Sequence, residues 1–264
     1  MRRSAESMEW HEIILILVIG VISLYVLFIF PTQWLKVEKV HYPLGIGARI
    51  LQISDLHVNM LRISPYKLKS TIEKIKPDYI FLTGDYTYKN KYLPKLERYI
   101  KEISSCNVPI YAVLGNHDHQ LPSLKRLSHI FKSYNVVLLC NDSIELPTFE
   151  LVGIDNYGTG HSQVQKAFRK VTERKPVIII THDPELLLTL SRSYSYLLGG
   201  HLHGKQFNVP FVFSIRRKGK LASQGIYKGF HKGSKGAFYI SKGIGQAGVN
   251  ARFMVRSEVT VHEL

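Results

Sequence analysis

The sequence predicts an α/β fold, and three features predict it. Five apolar runs rich in β-branched residues each end in a short polar cluster: ILQISDLH (Ile50 to His57), YIFLTGD (Tyr79 to Asp85), IYAVLGNHD (Ile110 to Asp118), VIIITHD (Val177 to Asp183) and YLLGGHLH (Tyr196 to His203). Each run has the length and composition of a buried strand. Amphipathic stretches with helical spacing lie between the runs, and beyond about residue 220 come short strand-like segments with glycine turns. Strand C-terminal ends are where open α/β sheets build ligand sites. One Asp or His at such an end is an ordinary cap or turn, but five clusters in order exceed what capping requires.

The intervening elements follow from local chemistry. Ser64 and Pro65 supply an N-cap and first helical position, with Leu68, Ile72 and Ile75 on one face. Leu93, Leu96, Ile100 and Ile103 form a second stripe, Leu124, Leu127, Ile130 and Phe131 a third, and Val164, Phe168 and Val171 a fourth. Strands are expected at Ala237 to Ile240 and Val255 to Val261. The order predicts a βαβ half followed by a more antiparallel half.

Residues 13 to 30 (IILILVIGVISLYVLFIF) are 18 consecutive residues without a charge. At about 1.5 Å per residue they nearly cross a hydrocarbon core of about 30 Å. Trp34 would sit at the interface. A signal peptide and a buried core helix are the alternatives. No small-x-small cleavage site follows, and the run is long for a signal sequence, so a single-pass anchor in the cell membrane is expected. The domains are then residues 1–35, tail and anchor, and 36–264, catalytic. Arg2 and Arg3 balance Lys36 and Lys39 across the run, which leaves the side of the membrane open.

The net charge is +15. Residues 1–12 carry two Arg and three Glu, so 33 basic against 17 acidic residues, or +16, belong to the remainder. Arg216, Arg217, Lys218, Lys220, Lys228, Lys232, Lys235 and Lys242 concentrate the excess near the C-terminal end. Such a surface draws anionic lipid headgroups and nucleic acid alike. Cys106 and Cys140 have no C-x-x-C spacing and provide neither a disulfide framework nor a thiolate site.

D-L-H at 55 to 57, G-D at 84 to 85, G-N-H-D at 115 to 118, T-H-D-P at 181 to 184 and G-G-H-L-H-G at 199 to 204 resemble the signature blocks of calcineurin-like metallophosphoesterases. Within them the chain most resembles a membrane-anchored bacterial branch with YkuE-like proteins and certain UDP-diacylglucosamine pyrophosphatases. The resemblance implies a four-layer αββα sandwich of two mixed sheets flanked by helices. It also implies two divalent ions, with Asp55, His57 and His203 on the first, Asn116, His182 and His201 on the second, and Asp85 bridging. Carboxylates and imidazoles without thiolates suit Mn²⁺, Fe²⁺ or Zn²⁺. Two such ions acidify a bridging water for in-line attack on phosphorus. His117 would stabilise the transition state and protonate the leaving oxygen, with Asp118 orienting it.

With a side-chain period of two, Asp55 and His57, and likewise His201 and His203, are expected to project to one side of extended backbone. His119 is expected in solvent. The chain departs from the family pattern at Tyr86, Thr87 and Tyr88, where a small apolar pair and a second Asp are common, so the turn beyond Asp85 must be built differently. Leu202 replaces a usual Thr. Lys205 replaces a common Gly and is placed to meet a second phosphate or to reach solvent. Phe207 to Ile215, beside Arg216, Arg217 and Lys218, reads as a core hairpin or as an element inserting into a lipid surface.

The function these features point to is a membrane-anchored, dinuclear metal-dependent phosphohydrolase cleaving a phosphoester or pyrophosphate of a lipid or lipid-linked substrate. A nuclease is the alternative; it fits less well because aromatic residues are not interleaved with the Lys/Arg cluster. A non-catalytic membrane scaffold would show lost ligands, and none is missing.

Overall fold

The computed structural model describes residues 9–209 and 219–264. It begins with α1 (Trp10–Leu24), a π-turn (Tyr25–Ile29) and α2 (Phe30–Gln33), together a helix of 24 residues long and apolar enough to cross a membrane. Among the described residues twelve strands follow: β1 (Lys36–His41), β2 (Arg49–Ile53), β3 (Tyr79–Thr83), β4 (Ile110–Val113), β5 (Val136–Leu138), β6 (Asp142–Glu145), β7 (Glu150–Ile154), β8 (Val177–Thr181), β9 (Tyr196–Gly199), β10 (Gly229–Gly233), β11 (Gly236–Ile240) and β12 (Glu258–Glu263). They form two six-stranded sheets, ordered β1-β12-β2-β3-β4-β5 and β10-β11-β9-β8-β7-β6.

All five predicted strands are present, and side-chain alternation explains why both their faces are apolar. In β3, Phe81 points between the sheets while Ile80 and Leu82 face α3 (Pro65–Ile75), α4 (Leu93–Ser104) and α5 (Lys125–Ser133). In β8, Ile178 and Ile180 meet Phe81 and Tyr111 across the inter-sheet core, whereas Ile179 faces the outer layer with α6 (Val164–Ala167) and α7 (Gly219–Ser223). The result is helices, sheet, sheet, helices. Ser64 caps α3 as expected, its hydroxyl accepting from the Lys67 amide.

The second half carries the antiparallel pairing, as expected: β6·β7, β10·β11 and β12·β2 are antiparallel, whereas β2, β3, β4 and β5 pair in parallel. The parallel runs are β2-β3-β4-β5 and β7-β8-β9-β11; the second sheet has antiparallel pairs at both margins, while in the first the antiparallel pair is the internal β12·β2 and both marginal pairs are parallel. The tail is divided between them: β10 and β11 extend the second sheet, while β12 inserts between β1 and β2 of the first. The fourth stripe yields one turn of helix, Val164–Ala167; farther on, the Glu150 carboxylate takes the Thr172 and Glu173 amides and the Thr172 hydroxyl.

Parallel registers align the strand ends. Ile53 pairs with Leu82 and Thr83 with Val113, so the residues after β2, β3 and β4 emerge in one row. Between the sheets, the Gln52 amide nitrogen donates to the Gly199 carbonyl at 2.9 Å and to the Thr83 hydroxyl at 3.1 Å. Its amide oxygen meets His262 Nε2 at 3.1 Å, and the other nitrogen of that ring meets the Tyr196 hydroxyl. Both Thr83 and Gly199 directly precede polar clusters.

Phe81 is fully buried, edge-on to Tyr111 of the neighbouring strand and to Phe149 at the start of β7 in the facing sheet. Phe81→Ala should therefore lower stability by about 3–5 kcal/mol in chemical denaturation, with the strand-end geometry retained.

Candidate metal centre

The polar clusters do not leave the sheets as extended chain. Asp55 (φ 57°), His57 (φ 37°), Asp85 (φ 58°), His201 (φ 70°) and His203 (φ 49°) all adopt left-handed backbone. The expected one-sided projection from a strand is thus corrected. The strands stop earlier, at Ile53, Thr83 and Gly199, and each loop curls so that its side chains converge from separate strands. Such conformations are costly for residues other than Gly and persist where neighbours enforce them. Here adjacent loops do so: the Asp55 amide donates to the Gly84 carbonyl, His57 to Asp85 and Val58 to Tyr86. A Cβ on Gly115 would collide with Asp85 Oδ1, so only glycine admits that approach.

Convergence brings Asp55, His57 and His203 together, and separately Asp85, His182 and His201, with the ligand atoms of each group within 4.8 Å of one another. Asp85 Oδ2 stands 3.4 Å from His57 Nε2 and 3.2 Å from His182 Nε2, between the two groups. His203 Nε2 is 3.3 Å from Asp55 Oδ1. The Thr83 carbonyl accepts from His182 Nδ1 at 2.9 Å and turns Nε2 inward, as metal-ligating imidazoles require. Asp55 is oriented by the Ser54 hydroxyl and the His201 amide. His57 Nε2 and Asn116 Oδ1 are buried without a hydrogen-bond partner.

Buried acceptors and carboxylates at this density need positive charge. Burial pushes the His57 imidazole down to about 4 despite the Asp85 and Asp55 charges. At His182 burial acts downward too, but Asp85 prevails and raises it to about 10. Asp85 itself is held well below the usual carboxylate range, the surrounding imidazoles outweighing its burial. The donor set and the partnerless atoms fit divalent cations bound by oxygen and nitrogen.

His117 lies at the cleft, its amide donating to Asp85 Oδ1 at 2.8 Å, its ring edge-on to His57, and its Nδ1 buried without a partner. The expectation that Asp118 orients this ring is corrected. Both Asp118 oxygens accept from backbone: the amides of Asp85, Tyr86, Thr87 and Gly115. Burial and the Asp85 charge push the Asp118 carboxyl above the usual carboxylate range, opposed by the Gly115, Thr87 and Tyr86 amides. Its role is to clamp two loops together.

The divergent turn after Asp85 is built on the same clamp. Tyr86 is fully buried and its hydroxyl donates towards the Leu82 and Val113 carbonyls, joining β3 to β4. Leu202 is core, packed in the outer layer. Lys205 Nζ lies 4.2 Å over the Tyr227 ring and is not among the residues lining the cleft. Lys242 does not belong to a basic face: its ammonium pairs with the buried Glu258 and with Glu38. Of the Phe207 to Ile215 segment, Phe207 bridges to Phe253; residues 210–218, with Arg216, Arg217 and Lys218, lie outside the described residues.

The cleft has two lobes sharing Asn116, Asp183 and His201. One, of about 320 Å³, contains Asp85, His117 and His203. The other, of about 450 Å³, is walled by His119, Asn156, Thr159 and His161. His119 is not in solvent. Its Nε2 is 2.7 Å from Asp155 Oδ1 and its ring stacks at 3.8 Å on His161. Asp155 and Asn156 directly follow β7, a sixth apolar run with a polar terminus (LVGIDN), which was the available signal for this wall.

A calcineurin-like phosphoesterase model matches residues 48–214. The chain belongs to that family. It is 34% identical to the metallophosphoesterase YkoQ of Bacillus subtilis, over 83% of this chain and 86% of that protein. It is 26% identical to YkuE of the same organism, over 83% and 79% respectively. It is 24% identical to the UDP-2,3-diacylglucosamine pyrophosphatase LpxG of Chlamydia muridarum, over 75% and 78%. The protein is accordingly a metal-dependent phosphohydrolase.

The Asp155 hydrogen bond raises the His119 imidazole above its ordinary value. A raised folded-state value stabilises below the unfolded pKa, and the contribution is lost as pH rises through the folded one. NMR titration should find His119 protonating above pH 6.5, the ordinary value, and Asp155→Asn should bring it down.

Proposed function

We propose that the protein is a single-pass, membrane-anchored dinuclear phosphohydrolase acting on a phosphoester or pyrophosphate of a lipid or lipid-linked substrate. The observation that carries the reading is the seat of the N-terminal helix. Its last turns are fastened to the domain: Phe28 stacks on Phe253 at 5.2 Å and approaches Phe207 at 6.3 Å. Thr32 is fully buried and Arg256 lies 3.5 Å over Trp34. A cleaved signal sequence has no reason for such burial. Phe207 is four residues from His203, a span of at most about 14 Å. An apolar helix in a bilayer would thus hold the cleft near headgroup level, where a lipid phosphate lies. The LpxG relatives, by name pyrophosphatases of a diacylated nucleotide sugar, support a substrate of that class.

Asp55, His57 and His203 would hold one ion, Asn116, His182 and His201 the other, and Asp85 both. Mn²⁺, Fe²⁺ and Zn²⁺ suit these donors. Bound there, the pair supplies an acidified water and charge neutralisation at phosphorus. His117, with its Nδ1 facing no protein partner, donates the proton to the leaving oxygen, and the Asp85 carboxylate fixes its backbone. Asp183 and Glu185 line the opposite wall; both are committed to backbone amides and shape the cleft without moving protons.

His117→Ala should keep both metals and lose about 10²- to 10⁴-fold in rate, the scale of general acid catalysis, with the loss shrinking for acidic leaving groups. Loss of metal, or equal impairment on every leaving group, contradicts the assignment.

Substrate class is tested with the full chain in detergent micelles and Mn²⁺. The panel is a diacylated nucleotide sugar, a phospholipid, a chromogenic diester and single-stranded DNA. Turnover of the lipid-linked pyrophosphate is expected to exceed that of DNA; the reverse order establishes the nuclease reading. Asp85→Asn and His201→Ala should abolish turnover and lower metal content, read by elemental analysis.

A further inference from the structure

Arg252 is the bulkiest fully buried side chain among the described residues, and it carries a charge. A buried guanidinium persists only when acceptors surround it. Its acceptors are backbone carbonyls: Nη2 donates to Lys242 at 2.9 Å, to Gly243 at 3.0 Å and to Gly245, and Nη1 to Arg256 at 3.3 Å. One guanidinium nitrogen therefore gathers the 242–245 loop, while Nη1 anchors the group to Arg256.

That loop is the backing of the metal centre. The Ile244 amide donates to the Ser54 carbonyl at 2.9 Å and the Gly245 amide to the Asp55 carbonyl at 2.8 Å. A Cβ on Gly243 would lie 2.8 Å from the Asp55 Cβ, and one on Gly245 would overlap the Leu56 carbonyl oxygen. The loop touches the D-L-H turn with no space to spare. Since Asp55 sits in left-handed backbone, its carboxylate direction depends on what presses on it from behind.

Arg252 is in turn held by the N-terminal helix. Its own amide donates to the Phe28 carbonyl at 2.9 Å, within the π-turn, and the neighbouring Phe253 ring stacks on Phe28. A π-turn inside an α-helix commonly marks a functional position. Farther along, the Ser257 amide donates to the Pro31 carbonyl, and Arg62 joins Thr32 to Asn250. On the other flank, Gln206 receives the Phe253 amide at its carbonyl and ties Ala247 and Val249 by its side chain, three residues from His203.

We propose that Arg252 is a positioning residue of the metal centre and that Phe28 holds it in register, so that the foot of the N-terminal helix supports the first ion's ligands. The helix is thereby more than a tether. Contact runs from Phe28 through Arg252 and the 242–245 loop to Asp55, every link being a hydrogen bond to backbone or a close packing contact. Residues that orient metal ligands from behind typically change affinity 10- to 100-fold when removed. Lysine is a poor replacement: its single ammonium on a flexible stem loses the Nη1 contact to the Arg256 carbonyl that fixes the orientation of the group gathering the loop.

The test uses the full chain in detergent, with Mn²⁺ titrated by calorimetry and the Co²⁺-loaded protein read by visible absorption. Phe28→Ala, Arg252→Lys and Arg252→Gln should each weaken Mn²⁺ binding about 10-fold or more and alter the Co²⁺ spectrum, with Arg252→Lys the milder of the arginine variants. Two controls separate positioning from general destabilisation. Phe81→Ala, which loosens the inter-sheet core, and Ile19→Ala, exposed on the helix at 53%, should leave metal affinity and spectrum as in the wild type. If Arg252→Gln does not fold, Phe28→Ala and Arg252→Lys decide. Wild-type affinity and spectrum in those two overturn the proposal, as does an equal loss in Phe81→Ala. None of these readouts needs a bilayer or a lipid substrate, so the result stands apart from the question of membrane anchoring.

Discussion

Four backbone amides converge on the two oxygens of Asp118, and the geometry of the centre depends on that contact. The amides come from Gly115 in one loop and from Asp85, Tyr86 and Thr87 in another. Loops are ordinarily the mobile parts of an α/β fold. Here one carboxylate converts two of them into a rigid unit carrying Asp85, Asn116 and His117. A carboxylate suits this role because it is acceptor-only, with room for four donors, and its hydrogen bonds are charge-assisted. Tyr86 completes the unit by bridging β3 and β4 from inside the core.

The second support is the pairing of the sheets. Gln52 and His262 form a fully buried polar link between the two layers, and Gln52 grips Thr83 and Gly199 at once. Burying an amide and an imidazole is favourable only when their hydrogen bonds are made. Making them fixes the first sheet's β3 end against the second sheet's β9 end. Asp85 and His201 leave from those ends, and His182 docks on the Thr83 carbonyl. The spacing of Asp85, His182 and His201 is therefore set in the core, below the cleft.

Left-handed backbone at five ligand-bearing positions is strain maintained by these supports. Arg252 adds support from beneath Asp55, and through it the N-terminal helix joins the catalytic architecture. The arrangement relates the apolar helix to the site by direct contact, with Phe28 and Phe253 as the junction.

The sequence alone determined the layered α/β class, the five strands, the capped helix at Ser64 and the identity of the clustered side chains, because hydrophobic period, capping chemistry and motif spacing are local properties. It determined the apolar N-terminal helix for the same reason. Tertiary structure decided what those residues touch. Asp118 could be placed in the motif but not assigned to four amides, since its partners are brought close only by folding. His119 looked like a solvent residue because Asp155 and His161 lie 36 and 42 positions away. Lys242 looked like part of a basic face until Glu258, on β12, came beside it. Arg252 carried no signal at all: its acceptors are carbonyls, which every residue possesses, and only the path of the chain turns several of them towards one guanidinium.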